Sequence, residues 1–176
     1  MVVGYPGTTL RSADRHALEL LAGLLAGQGG RLFLDLRDGQ GLAYRLGAFS
    51  QEGIEPGRFV FHVATSADKV SAVLEGIAGH VARLRDQPVS AAELRRVQRY
   101  AIGAQQIALQ RKATLASCMA FDELYGLGYA AYQRYADQVA SVTPEQLRAV
   151  ARRYLVEQKR VVAIVRPEAG QPSKST

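Results

Sequence analysis

Two polar side chains, Arg37 and Tyr44, stand seven positions apart in the segment RLFLDLRDGQGLAY. The segment predicts a short helix ended by Gly39 or Gly41, followed by a strand. A helix end, a glycine turn and a strand start can place a guanidinium and a phenol at the same rim of a sheet. At neutral pH the guanidinium keeps its charge and a phenol keeps its proton, so both are donors. Together they could hold the carbonyl oxygens of an extended peptide.

The sequence pattern by itself favours a structural role for these two residues over a role in binding. Tyr44 shares one face of the predicted strand with Leu42 and Leu46, which is typical of a core tyrosine whose hydroxyl finds a partner. Arg37 falls near the end of the short helix, where a cation can interact with the last carbonyls and the helix dipole.

The histidines are the other candidates for metal or acid–base chemistry. His16 and Glu19 reproduce part of the H-x-x-E-H zinc signature, but Leu20 replaces the second histidine, so we interpret His16 as a surface helix residue. His62 alternates with apolar residues on a predicted central strand and indicates a satisfied core imidazole. His80 falls near the end of a predicted helix, where a cation suits the dipole. None is convincing as a ligand, and no metal site is predicted in this chain.

Two further features point to weaker hypotheses. Cys118 lies among small and apolar residues and is typical of helix packing rather than nucleophilic chemistry. Arg95, Arg96 and Arg99, with Tyr100 beside them, could form a phosphate-binding helix face. No known nucleic-acid-binding module accompanies them, so a nucleic-acid partner is disfavoured.

The composition sets the class of protein. A chain of 176 residues with 48% hydrophobic content suits one buried core. The 22 Lys and Arg against 16 Asp and Glu give a scattered net charge of +6, which is typical of a solvated surface. Charges interrupt every apolar run well before the roughly 18 residues of a membrane span, and no signal peptide is apparent. We expect a soluble chain of undetermined compartment, excised from a larger protein because it opens abruptly in a strand.

The order of predicted elements favours an α+β fold. The chain opens with a strand and with helices over about 13–26 and 31–38, which are followed by strands over 42–49 and 58–65. Helices are then predicted after Ser66, after the Ser90–Glu93 capping box, over about 114–125 and 129–140, and from Thr143 to near Leu155. The last element is a strand over 159–167. Strands and helices do not alternate one for one, so we expect a two-layer sandwich, with helices on one face of a mostly antiparallel sheet. Residues 1–167 form the predicted single domain, and 168–176 a disordered tail.

The segment GGRLFLDLRDGQGLAY resembles the second-domain signature of the pitrilysin and insulin-degrading-enzyme family of zinc metallopeptidases, or inverzincins, which includes the mitochondrial processing peptidases. The resemblance extends over nearly the whole chain. It is carried by DRHALELLAGLLAGQGGRLF before the signature, and by FVFHVATSADKVSAVLEGI, VSAAELRRVQ and SVTPEQLRAVARRYL after it.

The resemblance implies a chamber enclosed by related α+β domains. Zinc lies on the H-x-x-E-H helix of one domain, and an Arg and a Tyr from the facing domain help bind substrate. Arg37 and Tyr44 match that pair in type and spacing. Tyr44 is then expected to donate to the substrate carbonyl, where negative charge grows as zinc-activated water attacks, and Arg37 to anchor the substrate backbone.

This chain lacks H-x-x-E-H, so the resemblance is to the non-catalytic half. It contributes no catalytic residue and no metal ligand, and the zinc is expected in a partner domain, fused or in a sister subunit. Alone, the chain is not expected to cleave peptides. Two alternatives remain: a structural or regulatory relative, like the core subunits of respiratory complexes, and an active hydrolase that uses His16 and Glu19. Retention of Arg37 and Tyr44 argues against the first.

Overall fold

The computed structural model describes residues 1–27 and 29–166. Four antiparallel strands form one sheet in the order β2-β3-β1-β4. The strands are β1 (Val2–Pro6), β2 (Arg45–Gln51), β3 (Arg58–Ala64) and β4 (Val161–Ala163). The antiparallel β2–β3 pair confirms the two adjacent strands predicted from the sequence. The predicted last strand is shorter than expected. The boundary at residue 167 and the tail 168–176 lie outside the described residues, so both stay predictions.

Helices cover one face of this sheet, which confirms the α+β fold class. The α-helices are α1 (Arg15–Ala26), α2 (Val70–Asp86), α3 (Ala91–Leu109), α4 (Lys112–Leu124), α5 (Tyr135–Ala140) and α6 (Pro144–Tyr154). A π-helix covers Phe33–Gly39, and short 3₁₀ turns cover Ala67–Lys69, Ala131–Arg134 and Glu157–Lys159. No helix in the described part of the chain is long and apolar enough to cross a membrane.

The core lies between the sheet and α1. Phe59, Phe61 and Val63 of β3 alternate toward the helices, and Phe61 pairs in register with Val3 of β1. The helix α1 packs on β2, α3, α5 and α6. It therefore buries all of its leucines, Leu18, Leu20, Leu21, Leu24 and Leu25. Burying a side chain of this size contributes roughly 1.5–3 kcal/mol to folding, so this layer dominates the stability of the domain.

Side-chain caps form at two of the three helix starts predicted at Ser66, Ser90 and Thr143. The capping box predicted at Ser90 is present, and Thr143 forms a second box that was not predicted from the sequence. Ser66 occupies a cap position before a 3₁₀ turn, but its hydroxyl makes no capping hydrogen bond, so the expectation that it caps the helix was wrong. In α3 only the first half of the apolar face is buried, because Ala104 and Ala108 are exposed.

The second face of the sheet carries no covering layer within the described residues. His62 is exposed on β3, so the prediction of a core imidazole was wrong. Its ring lies over Gly47 of β2, where an added Cβ would come within 2.2 Å of the imidazole. A side chain at position 47 would require the imidazole to shift. Val60, next along the same face, is buried.

Candidate functional site

Arg37 is carried by the π-helix Phe33–Gly39, where the sequence predicted a short helix. The wide turn is closed by Gln40 N–H donating to the Asp35 carbonyl at 2.9 Å and by Leu42 N–H donating to the Leu36 carbonyl at 2.7 Å. Gly41 follows with φ +59°, a left-handed conformation that favours glycine. Single π turns are rare and are frequent at functional sites.

The side chain of Arg37 is directed to solvent. Its guanidinium carbon lies 4.6 Å from the centroid of the Phe33 ring, one turn earlier. In the described part of the chain the guanidinium has no hydrogen bond or ion pair, and the Arg37 carbonyl is instead satisfied by Gly41 N–H at 3.1 Å. The interpretation that Arg37 binds the last carbonyls of its helix was therefore wrong. Its donors are free for a ligand.

Tyr44 is 84% exposed, so the interpretation as a core tyrosine was also wrong. It immediately precedes β2, and its backbone N–H donates to the Ala64 carbonyl at 2.9 Å, which fixes it against β3. Ala43 is buried instead, and Thr65 donates its hydroxyl to the Leu42 carbonyl. These contacts anchor the backbone on both sides of Tyr44 and leave the phenol in solvent.

The π-helix and the linker to β2 thus present the two predicted donors outward. Lys69 adds a second cationic group by donating from Nζ to the Gly41 carbonyl at 3.1 Å. The exposed Arg45 continues the same segment into β2. No carboxylate of the described residues is paired with Arg37, so the segment suits a ligand rich in carbonyl oxygens or negative charge.

A bidentate ion pair holds the entry to the π-helix. Arg31 donates to both carboxylate oxygens of Glu93, from Nε and from one terminal nitrogen, each at 2.9 Å. These hydrogen bonds are the main reason that the pKa of Glu93 falls to about 2, with the Ser90 cap adding to the effect. The pair joins Arg31, two residues before the π-helix, to the first turn of α3.

His80 fixes the other side of the π-helix. It lies within α2, is only 4% exposed, and shares a hydrogen bond of 2.7 Å with Asp35. Burial is the main cause that lowers the pKa of His80, and the neighbouring Asp35 only partly opposes it. The prediction of a cation that suits the helix dipole was therefore wrong. The sequence carried no signal for this contact, because Asp35 and His80 are far apart along the chain.

His16 is buried rather than on the surface, so that prediction was wrong as well. Its Nε2 lies 3.1 Å from the Gln138 side-chain oxygen, and its Nδ1 lies 3.4 Å from the Glu19 carboxylate. Tyr135 donates its hydroxyl to the same carboxylate, and burial together with Glu19 raises the pKa of that phenol. This cluster ties α1 to α5.

The residues present do not fit a zinc site. His16 supplies one imidazole, Glu19 already accepts from Tyr135, and Leu20 is buried where a second histidine would be needed. Across residues 1–27 and 29–166, no three His, Cys, Asp or Glu side chains are grouped to hold a metal.

The remaining candidates lie where the sequence placed them. Cys118 is partly buried on α4, as expected for helix packing. The residues of the suggested phosphate-binding face are all exposed on α3, namely Arg95, Arg96, Arg99 and Tyr100. Nothing in their arrangement tests nucleic-acid binding, so that hypothesis stays disfavoured.

Known proteins resemble this chain in sequence and in fold. The sequence model of the Peptidase M16 inactive domain matches residues 1–100, which include the Arg37–Tyr44 segment. An uncharacterized zinc protease of Rickettsia bellii (strain RML369-C) is 26% identical over 149 residues, covering 84% of this chain and 33% of that protein. The chain therefore spans about a third of that relative.

Solved structures show the same fold at low identity. An inactive peptidase domain from Bordetella parapertussis gives a TM-score of 0.80 at 22% identity, covering 91% of this chain and 87% of that one. A peptidase M16 inactive domain from Pseudomonas fluorescens gives a TM-score of 0.81 at 20% identity, covering 90% of this chain and 38% of that one. These likenesses confirm the α+β fold, and the family match confirms the resemblance to zinc metallopeptidases. Since the match extends over 100 of the 176 residues, the chain belongs to the family of peptidase M16 inactive domains.

Proposed function

We propose that this chain is the non-catalytic, substrate-binding domain of a zinc-dependent metalloendopeptidase. Its Arg37–Tyr44 segment completes an active chamber opposite a zinc-bearing H-x-x-E-H domain, which belongs to the same protein or to a sister subunit. One observation carries the proposal: both donors project into solvent from a backbone that is anchored on each side. Because the backbone is already fixed, binding a ligand restricts only the side-chain rotations of the two donors.

The two side chains have different roles in this proposal. The Tyr44 hydroxyl donates to the substrate carbonyl oxygen, where negative charge develops during attack by water. Arg37 donates to neighbouring backbone carbonyls of the extended peptide, and its stacking on Phe33 limits the positions that the guanidinium can adopt. The zinc of the partner domain would supply the activated water.

The partner domain supplies what this chain lacks. The donor set around His16 and Glu19 does not fit zinc, and the chain spans only 33% of the Rickettsia relative, which is described as a zinc protease. A peptide bound between the two domains would meet the metal on one side and the Arg37–Tyr44 segment on the other.

The proposal is tested with Arg37→Ala in this chain combined with its zinc-bearing partner. We expect the KM for a peptide substrate to rise about 10-fold or more, because a hydrogen bond from a charged donor is lost, while kcat changes little. Steady-state cleavage of a fluorogenic peptide measures both constants. Arg95→Ala removes an exposed arginine from α3 and is the matched control.

An unchanged KM in Arg37→Ala would contradict the proposed role of the guanidinium. Peptide cleavage by this chain alone, abolished by Glu19→Gln, would favour the alternative of an active hydrolase. Full activity of the combined protein with both Arg37 and Tyr44 replaced would favour the structural or regulatory alternative.

A further inference from the structure

The π-helix that carries Arg37 is docked on α2 at two points one helical turn apart. Leu36 is fully buried against Gly76, where an added Cβ would come within 2.5 Å of the leucine side chain. Asp35 meets His80, four residues further along α2. Residues four apart share one face of an α-helix, so α2 presents an apolar contact and a polar contact to successive residues of the π-helix.

The polar contact is part of a chain of hydrogen bonds. Arg83 lies over the His80 ring, with one terminal nitrogen 3.0 Å from both ring nitrogens. Because the Asp35 carboxylate can only accept, His80 Nε2 carries the proton and donates to one of its oxygens at 2.7 Å. The other Asp35 oxygen accepts from Gln40 Nε2 at 2.8 Å. Both carboxylate oxygens are therefore engaged, one with α2 and the other with the residue that follows the π-helix.

The surrounding charges keep this arrangement in one protonation state. The Gln40 and His80 hydrogen bonds lower the pKa of Asp35, so the carboxylate is charged at neutral pH. Burial, with Arg83 and Arg31 nearby, lowers the pKa of His80, so the ring is neutral. A neutral imidazole that donates to a charged carboxylate is a strong and directional contact.

We infer that the Asp35–His80 hydrogen bond is a positioning device for Arg37, an inference that rests on the proposed function of that residue. Asp35 stands two positions before Arg37, and the same carboxylate holds Gln40, whose N–H closes the π turn. Loss of the contact leaves the π turn held by Leu36, by its backbone hydrogen bonds and by the Arg31–Glu93 pair at its entry. The π-helix then exchanges among other turn geometries, and the guanidinium loses its fixed direction.

Asp35→Ala removes the acceptor, and Asp35→Asn keeps a neutral acceptor of the same shape. The Asp35 side chain is 40% exposed, so both variants are expected to fold. In Asp35→Ala the backbone N–H groups of Gln40, Gly41 and Leu42 should exchange with deuterium about 10-fold faster or more, and Asp35→Asn should restore most of the protection. Thr143→Ala, which removes the cap of α6, controls for a general loss of stability.

The kinetic readout separates positioning from a merely structural role. In the combined enzyme, Asp35→Ala should raise KM severalfold, and adding it to Arg37→Ala should cause no further rise, since the two act through one guanidinium. Two results would overturn the inference. One is unchanged deuterium exchange in Asp35→Ala. The other is that Asp35→Ala raises KM by the same factor whether or not Arg37 is present. If exchange increases while Arg37→Ala itself leaves KM unchanged, the proposed function fails and the anchoring of the π-helix stands.

Discussion

Replacing Tyr44 with phenylalanine is expected to lower kcat for peptide cleavage about 100-fold, with a smaller change in KM. The reason is that the phenolic hydroxyl is proposed to donate where negative charge develops, and loss of one such donor typically costs a factor of this order. The substitution removes one oxygen from a side chain that is 84% exposed, so neither folding nor packing should change. Initial rates over a range of peptide concentrations measure the effect.

Tyr129→Phe is the matched control, because Tyr129 is also exposed, at 60%, and lies after α4, outside the Arg37–Tyr44 segment. It should leave both constants unchanged. Equal kcat values for Tyr44→Phe and the unaltered chain would show that the hydroxyl does not contact the reacting carbonyl. A rise in KM alone would assign Tyr44 to ground-state binding instead.

Leu36→Ala is expected to have the largest effect on stability at the site, lowering the free energy of unfolding by about 2–5 kcal/mol. Leu36 is fully buried and packs on Gly76, so its truncation leaves a cavity between the π-helix and α2. Urea denaturation followed by circular dichroism gives the change in the midpoint. The same variant should also raise KM, because it loosens the support of Arg37.

The neighbouring Leu34 provides the control within the same π-helix. It is 55% exposed, so Leu34→Ala should change stability by no more than about 0.5 kcal/mol. Similar midpoints for the two variants would contradict the docking of the π-helix through Leu36.

The sequence predicted the architecture because its local signals agree with the fold. The capping box at Ser90, the helix start at Thr143, the first helix α1 and the β2–β3 pair all formed as expected. Each signal is local in the chain and depends on spacing that the backbone geometry fixes. The glycine turn after Arg37 is of the same kind, since Gly41 adopts the left-handed conformation that ends the turn.

Burial of single polar residues could not be predicted from the same patterns. His16 was expected on the surface and is buried, because α1 is covered by α5 in addition to the sheet and the other helices. His62 was expected in the core and is exposed, because one face of the described sheet carries no covering layer. Periodicity indicates which residues share a face, but not how many layers cover it.

Tyr44 illustrates how a small shift in an element changes the interpretation of a site. The pattern placed it inside a strand and on the core face, whereas β2 begins one residue later and Ala43 is buried instead. The anchoring of the linker by Ala64, Thr65 and Lys69 decides this, and all three are distant in sequence. The family resemblance identified Arg37 and Tyr44, but only the structure shows that both face solvent.

The most direct test of the central claim places a photo-crosslinking benzophenone amino acid at position 44 or, as control, at position 129, both of which are exposed tyrosines. Each variant is combined with the zinc-bearing partner, given a labelled peptide substrate and irradiated. The proposed chamber predicts that the peptide is captured at position 44 and not at position 129. Capture at neither position, or equal capture at both, would contradict a substrate site at the Arg37–Tyr44 segment.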